Sequence, residues 1–504
     1  MNRVAIEAQL ALLPDYLSAH LLLTIGALAA GVAISLPLAV LVLRVRPLAA
    51  PVLATAGAIQ TIPGLALLAL MVPLLGRIGI VPALLALTLY SVLPVLRNTV
   101  TGALEVDRDV LEAARGIGMT ATQTLFRVQL PLAMPTIVAG LRTAAVWTVG
   151  TATLSTPVGA TSLGNYIFSG LQTQNMAAVL VGCAAAAALA ISLDALIRLA
   201  EIAARRRDLR LGWIAAACLV CAIGLGSWPR IQPLLQPDSR PRVIVGAKTF
   251  TEQYILARLI SDRLEARGFA VELRDSLGST VVFDALIASE VDLYVDYSGT
   301  LWANHMGRGD AERPEVVLRE TARWLDTEHD ALLLGPLGFE NAYALAMRRE
   351  HARQLGVETL QEITPLSARL SIGGDYEFFA RPEWAALRDR YGFEFAEQRS
   401  FDSSLMYGAV AGGHVDVISA FSSDGRIAAF DLVVLEDHLQ ALPPYDAVVL
   451  LSADARGREG LLAALRPLIG AVDDVHMRTA NKLVDVDRRS IQEAADHLAS
   501  AIAP

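Results

Sequence analysis

The stretch "DLYVDYSGTLW", residues 292–302, places three aromatic side chains around a Gly-Thr pair, in a segment that otherwise reads as a buried strand. The three are Tyr294, Tyr297 and Trp302. Rings grouped in this way build either a folding core or the wall of a ligand site, because each ring has a large apolar surface and an electron-rich face. The position of the segment in the fold decides between the two interpretations.

Carboxylates close to the aromatic residues raise an acid–base site as an alternative. The candidates are Asp292, Asp296, Glu377 and Asp424. Such residues more often cap helices or pair with arginine, and the sequence has no HExxH, no paired-carboxylate motif and no serine–histidine–aspartate arrangement. Its eight histidines are scattered, without the spacing of metal ligands. We therefore expect neither an enzyme, nor a metal site, nor a bound cofactor.

Lysine occurs only twice, at Lys248 and Lys482. A phosphate-binding loop of the G-x-x-x-x-G-K-[ST] type needs a lysine directly after glycine, and these two follow Ala247 and Asn481. The chain therefore cannot be an ATPase of that class. Its net charge of −9, with no basic stripe in the C-terminal half, argues against nucleic-acid binding.

The elements that position these residues fall into two halves of different character. The 504-residue chain is 54% hydrophobic and only 18% charged, which is too apolar for a purely soluble protein. Runs long enough to cross about 30 Å of hydrocarbon occur near residues 18–43, 50–75, 78–96, 134–155, 176–197 and 209–228. The sequence therefore predicts six membrane spans in the N-terminal half.

Arginines predict the direction of these spans. They gather in alternate loops, at 44 and 46, between 97 and 127, and between 205 and 210, and the positive-inside rule makes these loops cytoplasmic. The N-terminus and, after six crossings, the C-terminal half are then both expected outside a cytoplasmic (inner) membrane. The first segment lacks the basic region and cleavage motif of a secretory signal, so we expect it to be retained.

The C-terminal half alternates strand and helix patterns. It begins after "SWPRIQPLLQPDSRPR", residues 227–242, whose four prolines favour an extended linker. In "TFTEQYILARLISDRLEARG", Thr249 and Glu252 have the spacing of a capping box. Repeated strand–helix–strand units predict a parallel sheet whose ligands gather at the carboxyl ends of its strands. The loops "GAKTFTEQ" and "DYSGTLW" lie there, so residues 292–302 are expected at a binding edge of the sheet.

One motif in the N-terminal half resembles a known family. In "LEAARGIGMTATQTLFRVQLPLAMPTIVAG", the residues Glu112, Ala113, Ala114, Gly118, Leu130 and Pro131 reproduce the EAA-x3-G-x9-I-x-LP pattern of binding-protein-dependent ABC importer permeases, with Val128 in place of the isoleucine. The resemblance implies a MetI-like α-helical permease whose cytoplasmic loop docks into a separate ATPase subunit. The pattern itself predicts a short helix, a glycine turn and a second helix that stops at the proline.

The C-terminal half also resembles a family. The segments "GAKTFTEQYILARLI", "YVDYSGT", "LGPLGFENAYAL", "AFSSDGRIAAFDLVVLED" and "LPPYDAVVLL" are similar to the binding proteins of osmoprotectant uptake systems for glycine betaine, carnitine and choline. The resemblance implies an α/β two-lobed, type II periplasmic-binding-protein-like domain. We expect a permease at 1–204, an additional transmembrane helix and linker at 205–241, and an extracytoplasmic binding domain at 242–504.

Matching the motifs residue by residue implies two groups of ligand-binding residues. An aromatic cage for a quaternary ammonium group would consist of Tyr297, Tyr343, Phe421 and Tyr445. Donors for a carboxylate would be Lys248, Gln253, Thr300 and Arg381. Relatives often have tyrosine where Phe421 stands, so this cage lacks one hydroxyl. Trp302, Tyr254, Tyr376 and Phe378 lie near these motifs without an assigned place.

The two resemblances together imply an importer subunit, a fused permease and binding protein for glycine betaine or a related compound. We expect it to work as a homodimer with a separate ATPase. Two alternatives stay open: the same machine with choline, carnitine or a histidine-derived betaine as cargo, and a membrane-anchored solute sensor whose spans signal instead of transporting.

Overall fold

The computed structural model describes residues 3–173, 175–206, 208–235, 239–308, 312–442 and 444–502. The chain folds as two compact units. One comprises Met1–Phe168 and Ala177–Asp238, and the other comprises Ser169–Met176 and Ser239–Pro504.

The described residues up to 235 are helical apart from short turns. Its helices are α1 Arg3–Arg44, α2 Ala49–Thr61, α3 Gly64–Leu75, α4 Ile80–Leu104, α5 Arg108–Gly116, α6 Ala121–Thr124, α7 Leu130–Ala152, α8 Gly164–Gln172, α9 Met176–Arg206 and α10 Leu209–Leu235. Alanine, leucine and valine dominate the buried side chains where α1, α4 and α7 pack together. Small and branched apolar residues allow such helices to approach closely in a membrane.

Five of the helical segments in the described residues are long and apolar enough to cross a membrane. They are Gln9–Arg44, Ile80–Leu104, Ala121–Val158, Met176–Ala203 and Leu209–Trp228. The expected span at 50–75 is instead a bent pair, Arg46–Thr61 and Gly64–Leu75, with an angle of 99° between its helices. Counting that pair as one broken span gives six crossings, as the sequence predicts.

The bend has a local cause at Pro63. The residue before a proline is disfavoured in helical conformation, and Ile62 is extended, with φ −69° and ψ 128°. The Tyr90 hydroxyl donates a hydrogen bond to the carbonyl of Ile62, and Gln60 Nε2 donates to the carbonyl of Tyr90 at 3.1 Å. Arginines at 44 and 46 precede the pair, and those from 108 onward follow α4. If the pair is one broken span, both groups lie on the cytoplasmic side of the membrane, as the positive-inside rule expects. If the pair were a re-entrant loop, the two groups would lie on opposite sides of the membrane.

The family motif of the N-terminal half forms α5, a turn and a longer helical run. Asp107 caps α5 by accepting from the backbone N–H of Asp109 at 2.9 Å, and Gly118 makes the turn with φ +86°. The prediction that the second helix stops at Pro131 is wrong. The chain continues as one helical run through α6 and a π-helical segment, Leu125–Gln129, into α7, and Pro131 lies directly after that irregular segment, where the regular hydrogen-bond pattern is interrupted.

The second unit is α/β. Its strands are β1 Arg242–Lys248, β2 Ala270–Leu277, β3 Leu293–Tyr297, β4 Leu332–Glu340, β5 Tyr343–Arg348, β6 Ser371–Asp375, β7 Glu397–Phe401, β8 Val417–Phe421, β9 Leu432–Leu435 and β10 Asp446–Leu451. Its helices are α11 Thr251–Ala266, α12 Ser279–Ile287, α13 Ser298–Thr300, α14 Pro314–His329, α15 Arg349–Leu355, α16 Leu360–Ile363, α17 Pro382–Tyr391, α18 Ser403–Ala411, α19 Arg426–Ala429, α20 Glu459–Leu465, α21 Asp474–Asp485 and α22 Ile491–Ile502.

Two five-stranded sheets define two lobes. The first lobe has the strand order β2-β1-β3-β10-β4 and the second has β7-β6-β8-β5-β9. Helices α20, α21 and α22 return to the first lobe, where α21 and α22 pack on α11. Both sheets are mixed, which corrects the expectation of a purely parallel sheet: β10 is antiparallel to β3 and β4, and β5 is antiparallel to β8 and β9. The chain crosses between the lobes twice: β4 leads into the second lobe, and β10 is the strand on which the chain returns to the first. The returning strand β10 therefore runs opposite to its neighbours.

Candidate functional site

In the first lobe, four expected ligand-binding residues lie at the carboxyl ends of two neighbouring parallel strands. Lys248 ends β1 and Tyr297 ends β3, while Gln253 lies in the first turn of α11 and Thr300 in the short helix α13. Parallel strands bring their carboxyl ends to one edge of a sheet, so the loops that follow them meet there.

The other four lie in the second lobe and at the return crossover. Tyr343 begins β5 and Phe421 ends β8, and these two residues are direct partners in the antiparallel ladder. Arg381 precedes α17, and Tyr445 lies directly before β10. Cross-strand partners carry neighbouring side chains, which brings the rings of Tyr343 and Phe421 to a centroid distance of 4.9 Å.

The expected cage residues belong to one aromatic cluster. Tyr343 contacts Tyr445 at a centroid distance of 5.7 Å, and Phe250 lies 6.0 Å from Tyr297 and 6.3 Å from Phe421. Phe250 therefore links the ring of the first lobe to the rings of the second. All three tyrosines are buried, with exposed fractions of 1% to 7%, and Phe421 is partly buried.

Sequence reasoning missed Phe250 and left Phe378 without a place. Phe250 stands between two candidate residues in "KTFTEQ", and this position was the available signal. Phe378 packs against Tyr343 at a centroid distance of 5.6 Å, behind the cluster. Of the other unassigned aromatics, Tyr254 and Trp302 are buried, whereas Tyr376 is 71% exposed.

The three aromatic residues of 292–302 have two different places, one in the aromatic cluster and two in the core. Only Tyr297 contributes its ring to the cluster. Trp302 is fully buried, and Tyr294 is buried with its hydroxyl donating a hydrogen bond to Asp296. The segment is a core strand that ends at a candidate binding edge.

Two cationic side chains lie over the rings. Lys248 Nζ is 5.6 Å from the centroid of Tyr297 and pairs with Asp296. Burial lowers the pKa of Lys248, and the charge of Asp296 opposes that effect. The guanidinium carbon of Arg381 lies 5.5 Å from the centroid of Tyr343.

Arg381 keeps donors available. Its Nη2 pairs with Glu377, and its Nη1 lies 3.8 Å from Glu383. Its Nε and Nη1 are buried without a hydrogen-bond partner among the residues that the structure describes. The Tyr445 hydroxyl donates to Glu383 at 2.6 Å, so this carboxylate links Arg381 to the aromatic cluster. An incoming carboxylate could accept a hydrogen bond from Nε, which points away from Nη1 and Glu383.

The remaining two donors expected for a carboxylate are both buried. Gln253 Nε2 donates to the Tyr297 hydroxyl at 3.1 Å, and its Oε1 accepts from the backbone N–H of Lys248 at 3.4 Å. The amide of Gln253 therefore holds Tyr297 and the end of β1 together. Thr300 is 6% exposed in the turn that follows Tyr297.

Glu252 has a different place from the one its spacing predicted. The residue before α11 is Phe250 and carries no side-chain cap, so no capping box forms at this helix. The Glu252 side chain points inward and is 3% exposed. It accepts hydrogen bonds from four side chains: Tyr297 at 2.5 Å, Asn341 at 3.0 Å, Ser423 at 2.6 Å and Asn481 at 2.9 Å. Burial raises the pKa of Glu252, and these four donors oppose that rise.

The carboxylates considered for acid–base chemistry are paired. Asp292 accepts from the backbone N–H of Ile244 at 2.7 Å and lies 3.1 Å from Arg458, while Asp424 pairs with Arg426 at 2.6 Å. Asp296 and Glu377 pair with Lys248 and Arg381. Their contacts are those of structural ion pairs.

The family motif from Glu112 to Pro131 presents a mixed surface. Glu112 and Ala113 are exposed, and Ala114 is buried. Around them, three large apolar side chains are exposed: Val110 at 40%, Ile117 at 75% and Phe126 at 50%. Exposed apolar residues next to a charged side chain are typical of a surface that receives a protein partner.

Comparisons with known proteins match both halves. Residues 23–206 match the family described as "Binding-protein-dependent transport system inner membrane component". Residues 241–500 match the "Substrate binding domain of ABC-type glycine betaine transport system".

Three relatives illustrate the match. An ergothioneine transport permease/ergothioneine binding protein from Helicobacter pylori (strain G27) is 30% identical over 447 residues, which are 86% of this chain and 80% of that protein. A glycine-betaine-binding protein from Pseudomonas aeruginosa is 32% identical over 302 residues, 56% of this chain and 93% of that protein. A choline transport system permease protein from Bacillus subtilis (strain 168) is 42% identical over 182 residues, 36% of this chain and 83% of that protein.

The predicted fold class is confirmed, with a helical permease domain followed by an α/β binding domain. Such a permease resides in the inner membrane, and its family acts with an ATPase partner on a small-molecule ligand. The chain belongs to the ABC importers of the glycine betaine type, as a fusion of the membrane permease with its substrate-binding domain.

Proposed function

We propose that this chain imports glycine betaine or a closely related betaine. The observation that carries the proposal is the continuous cluster of Tyr297, Phe250, Phe421, Tyr343 and Tyr445 beside two cationic side chains. A trimethylammonium group cannot donate hydrogen bonds, so ring faces are its fitting receptor, at about 0.5 to 2 kcal/mol per contact.

The cations favour a zwitterion over a simple cation. Lys248 and Arg381 lie over the rings of Tyr297 and Tyr343, and each is already paired with a carboxylate, so the preference rests on the hydrogen-bond donors of Arg381. A carboxylate on the ligand can accept a hydrogen bond from Nε of Arg381, and choline has no carboxylate. In this proposal Lys248, Gln253, Thr300 and Arg381 serve the carboxylate end, and betaines bind more tightly than choline.

A histidine-derived betaine is the second candidate cargo. The relative from Helicobacter pylori, which covers 86% of this chain, is named for ergothioneine. Phe250 and Phe421 have nearly parallel rings, with an interplanar angle of 3° and no hydroxyl on either. Flat apolar faces of this kind suit a planar ring on the ligand.

Calorimetric titration tests the cargo. Residues 239–504 would be titrated with glycine betaine, carnitine, choline and ergothioneine, since a binding protein of similar extent is among the relatives. We expect binding of at least one zwitterion and weaker binding of choline. Binding of none of the four would overturn the assignment, and strongest binding of choline would overturn the role given to the cations.

The membrane half completes the proposed importer. In this proposal 1–204 is the permease, 205–241 an additional helix with a linker, and 242–504 the extracytoplasmic binding domain. A separate ATPase engages Glu112 to Pro131, and two chains form a homodimer that carries two tethered binding domains. A short flexible tether gives an effective concentration of about millimolar. Co-purification of an ATPase with the native chain and its loss in Glu112→Arg would support this, whereas a chain that transports without an ATPase would contradict it.

A further inference from the structure

Glu252 connects parts of the binding domain that are distant in sequence. Its Oε1 accepts from Tyr297, at the end of β3, and from Asn341, in the crossover between β4 and β5. Its Oε2 accepts from Ser423, in the loop after β8, and from Asn481, in α21. One buried carboxylate thus bonds to the first lobe, to the crossover and to the second lobe.

The loop that Glu252 holds in the second lobe directly follows a cage ring. Phe421 is the last residue of β8, and Ser423 lies in residues 422–425, the loop that connects β8 to α19. Asn481 Nδ2 also donates to the carbonyl of Ser423 at 3.0 Å. Gly425 approaches α21 so closely that a Cβ there would lie 2.7 Å from the Cα of Lys482. The loop is therefore docked on a helix of the first lobe.

The four bonds match the accepting capacity of a carboxylate. All four partners donate, through two hydroxyls and two amide nitrogens, and each oxygen of Glu252 accepts two of them. Burial also raises the pKa of Tyr297, so its hydroxyl keeps the proton that it donates. A glutamine would replace one accepting oxygen by an NH₂ group, so the two bonds that this oxygen now accepts would be lost. Losing partners of a buried charged group costs about 1.5 to 3 kcal/mol each, which is about 10-fold or more in an equilibrium constant.

We propose that Glu252 is a positioning residue that makes lobe closure and cage assembly a single event. It fixes the ring of Tyr297 in the first lobe through its hydroxyl, and it fixes the loop after Phe421 in the second lobe through Ser423. The ring of Tyr297 and the ring of Phe421 then take up their positions in the cage only when the two lobes are in contact.

A distance measurement in the full chain tests the connection without a ligand. Spin labels would be attached at Arg267→Cys in the first lobe and Asp389→Cys in the second, both exposed positions, after Cys183, Cys218 and Cys221 are replaced by alanine. Pulsed electron paramagnetic resonance in nanodiscs then reports the distance between lobes. We expect Glu252→Gln, Ser423→Ala and Gly425→Ala each to lengthen or broaden the distribution.

Asp292→Asn is the matched control. Asp292 is also a buried carboxylate, but its partners Ile244 and Arg458 both belong to the first lobe. Its replacement should lower thermal stability and leave the distance between lobes unchanged. An unchanged distribution in Glu252→Gln, or equal broadening in Asp292→Asn, would overturn the proposal.

A double-mutant cycle tests the coupling of these two rings. Because this readout rests on the proposed binding function, it uses glycine betaine and ergothioneine as probes on the full chain. Tyr297→Phe removes the bonds of its hydroxyl to Glu252 and from Gln253, Ser423→Ala removes one bond to Glu252, and both leave the cage rings in place. We expect each to weaken binding by about 3-fold to 10-fold, non-additively, and to have little further effect in the Glu252→Gln background. Additive effects that persist in that background would contradict the coupling.

The distance between lobes and the ligand titration distinguish failure of the role of Glu252 from failure of the proposed cargo. If neither probe binds the native chain, the proposed cargo fails, and the distance between lobes alone decides the role of Glu252.

Discussion

Arg381 and Tyr343 form a cation–π pair at the candidate site, with the guanidinium carbon 5.5 Å from the ring centroid. The cation on this ring belongs to the protein, and its Nε and Nη1 have no hydrogen-bond partner in the described part of the chain. The pair therefore combines the two requirements of a betaine, a ring face and a donor for a carboxylate.

Replacing Arg381 should separate betaines from choline. Arg381→Gln removes the charged donors, which contribute about 1.5 to 3 kcal/mol to a carboxylate, so we expect affinity for the bound betaine to fall about 10-fold to 100-fold. Choline has no carboxylate, and its affinity should be unchanged or rise. Arg399→Gln, at an exposed arginine paired with Glu397, is the control for calorimetric titration. Equal losses for betaine and choline would rule out this role of Arg381.

Removing one cage ring should weaken every quaternary ammonium ligand. Tyr343→Ala deletes a face that contributes about 0.5 to 2 kcal/mol, so affinity should fall about 2-fold to 30-fold. Tyr343→Phe keeps the face and should bind nearly as the native domain does. Tyr376→Ala, at a ring that is 71% exposed, is the control. The cage assignment would be wrong if Tyr343→Ala and Tyr376→Ala bound alike.

Phe250 should matter most for a ligand with a planar ring. Its ring joins Tyr297 to Phe421 and is nearly parallel to the latter. We expect Phe250→Leu, which keeps an apolar side chain, to weaken ergothioneine more than glycine betaine in the same titration. Parallel losses for both compounds would assign Phe250 to packing alone.

Asp485 should make the stability of the binding domain depend on pH. It accepts a hydrogen bond from Thr251 at 2.6 Å and lies 3.9 Å from Arg426. Burial, and then the nearby charge of Asp424, raises its pKa to about 7, although Arg426, Thr251 and Arg488 oppose the rise. The unfolded chain should titrate near about 3.9, so between these values the folded state holds a proton that the unfolded state has released.

This proton determines the direction in which stability changes with pH. The contribution of Asp485 to stability is fully present below about pH 4 and is lost as the pH rises through about 7. In urea unfolding of residues 239–504, the free energy of the native domain minus that of Asp485→Asn should fall over this range. Asp487→Asn, at a more exposed carboxylate nearby, should not show this trend. A difference that stays constant or rises with pH would contradict the assignment.

The place of several candidate residues in the fold could be predicted from sequence. Lys248 and Tyr297 follow β-rich runs, and strand ends determine where their loops lie. Glu252 was misjudged because a capping box is recognised from four adjacent residues, whereas its real partners stand at 297, 341, 423 and 481. Hydropathy predicts an apolar segment at 50–75 but contains no information on the angle between helices. The 99° bend beside Pro63 could therefore be seen only in the structure.

The most direct test of the cage is a crystal structure of residues 239–504 with glycine betaine. We predict the trimethylammonium group within about 6 Å of the ring centroids of Tyr297 and Tyr343, with the carboxylate on Arg381. A ligand whose ammonium group lies outside the cluster of Tyr297, Phe250, Phe421, Tyr343 and Tyr445 would contradict the central claim.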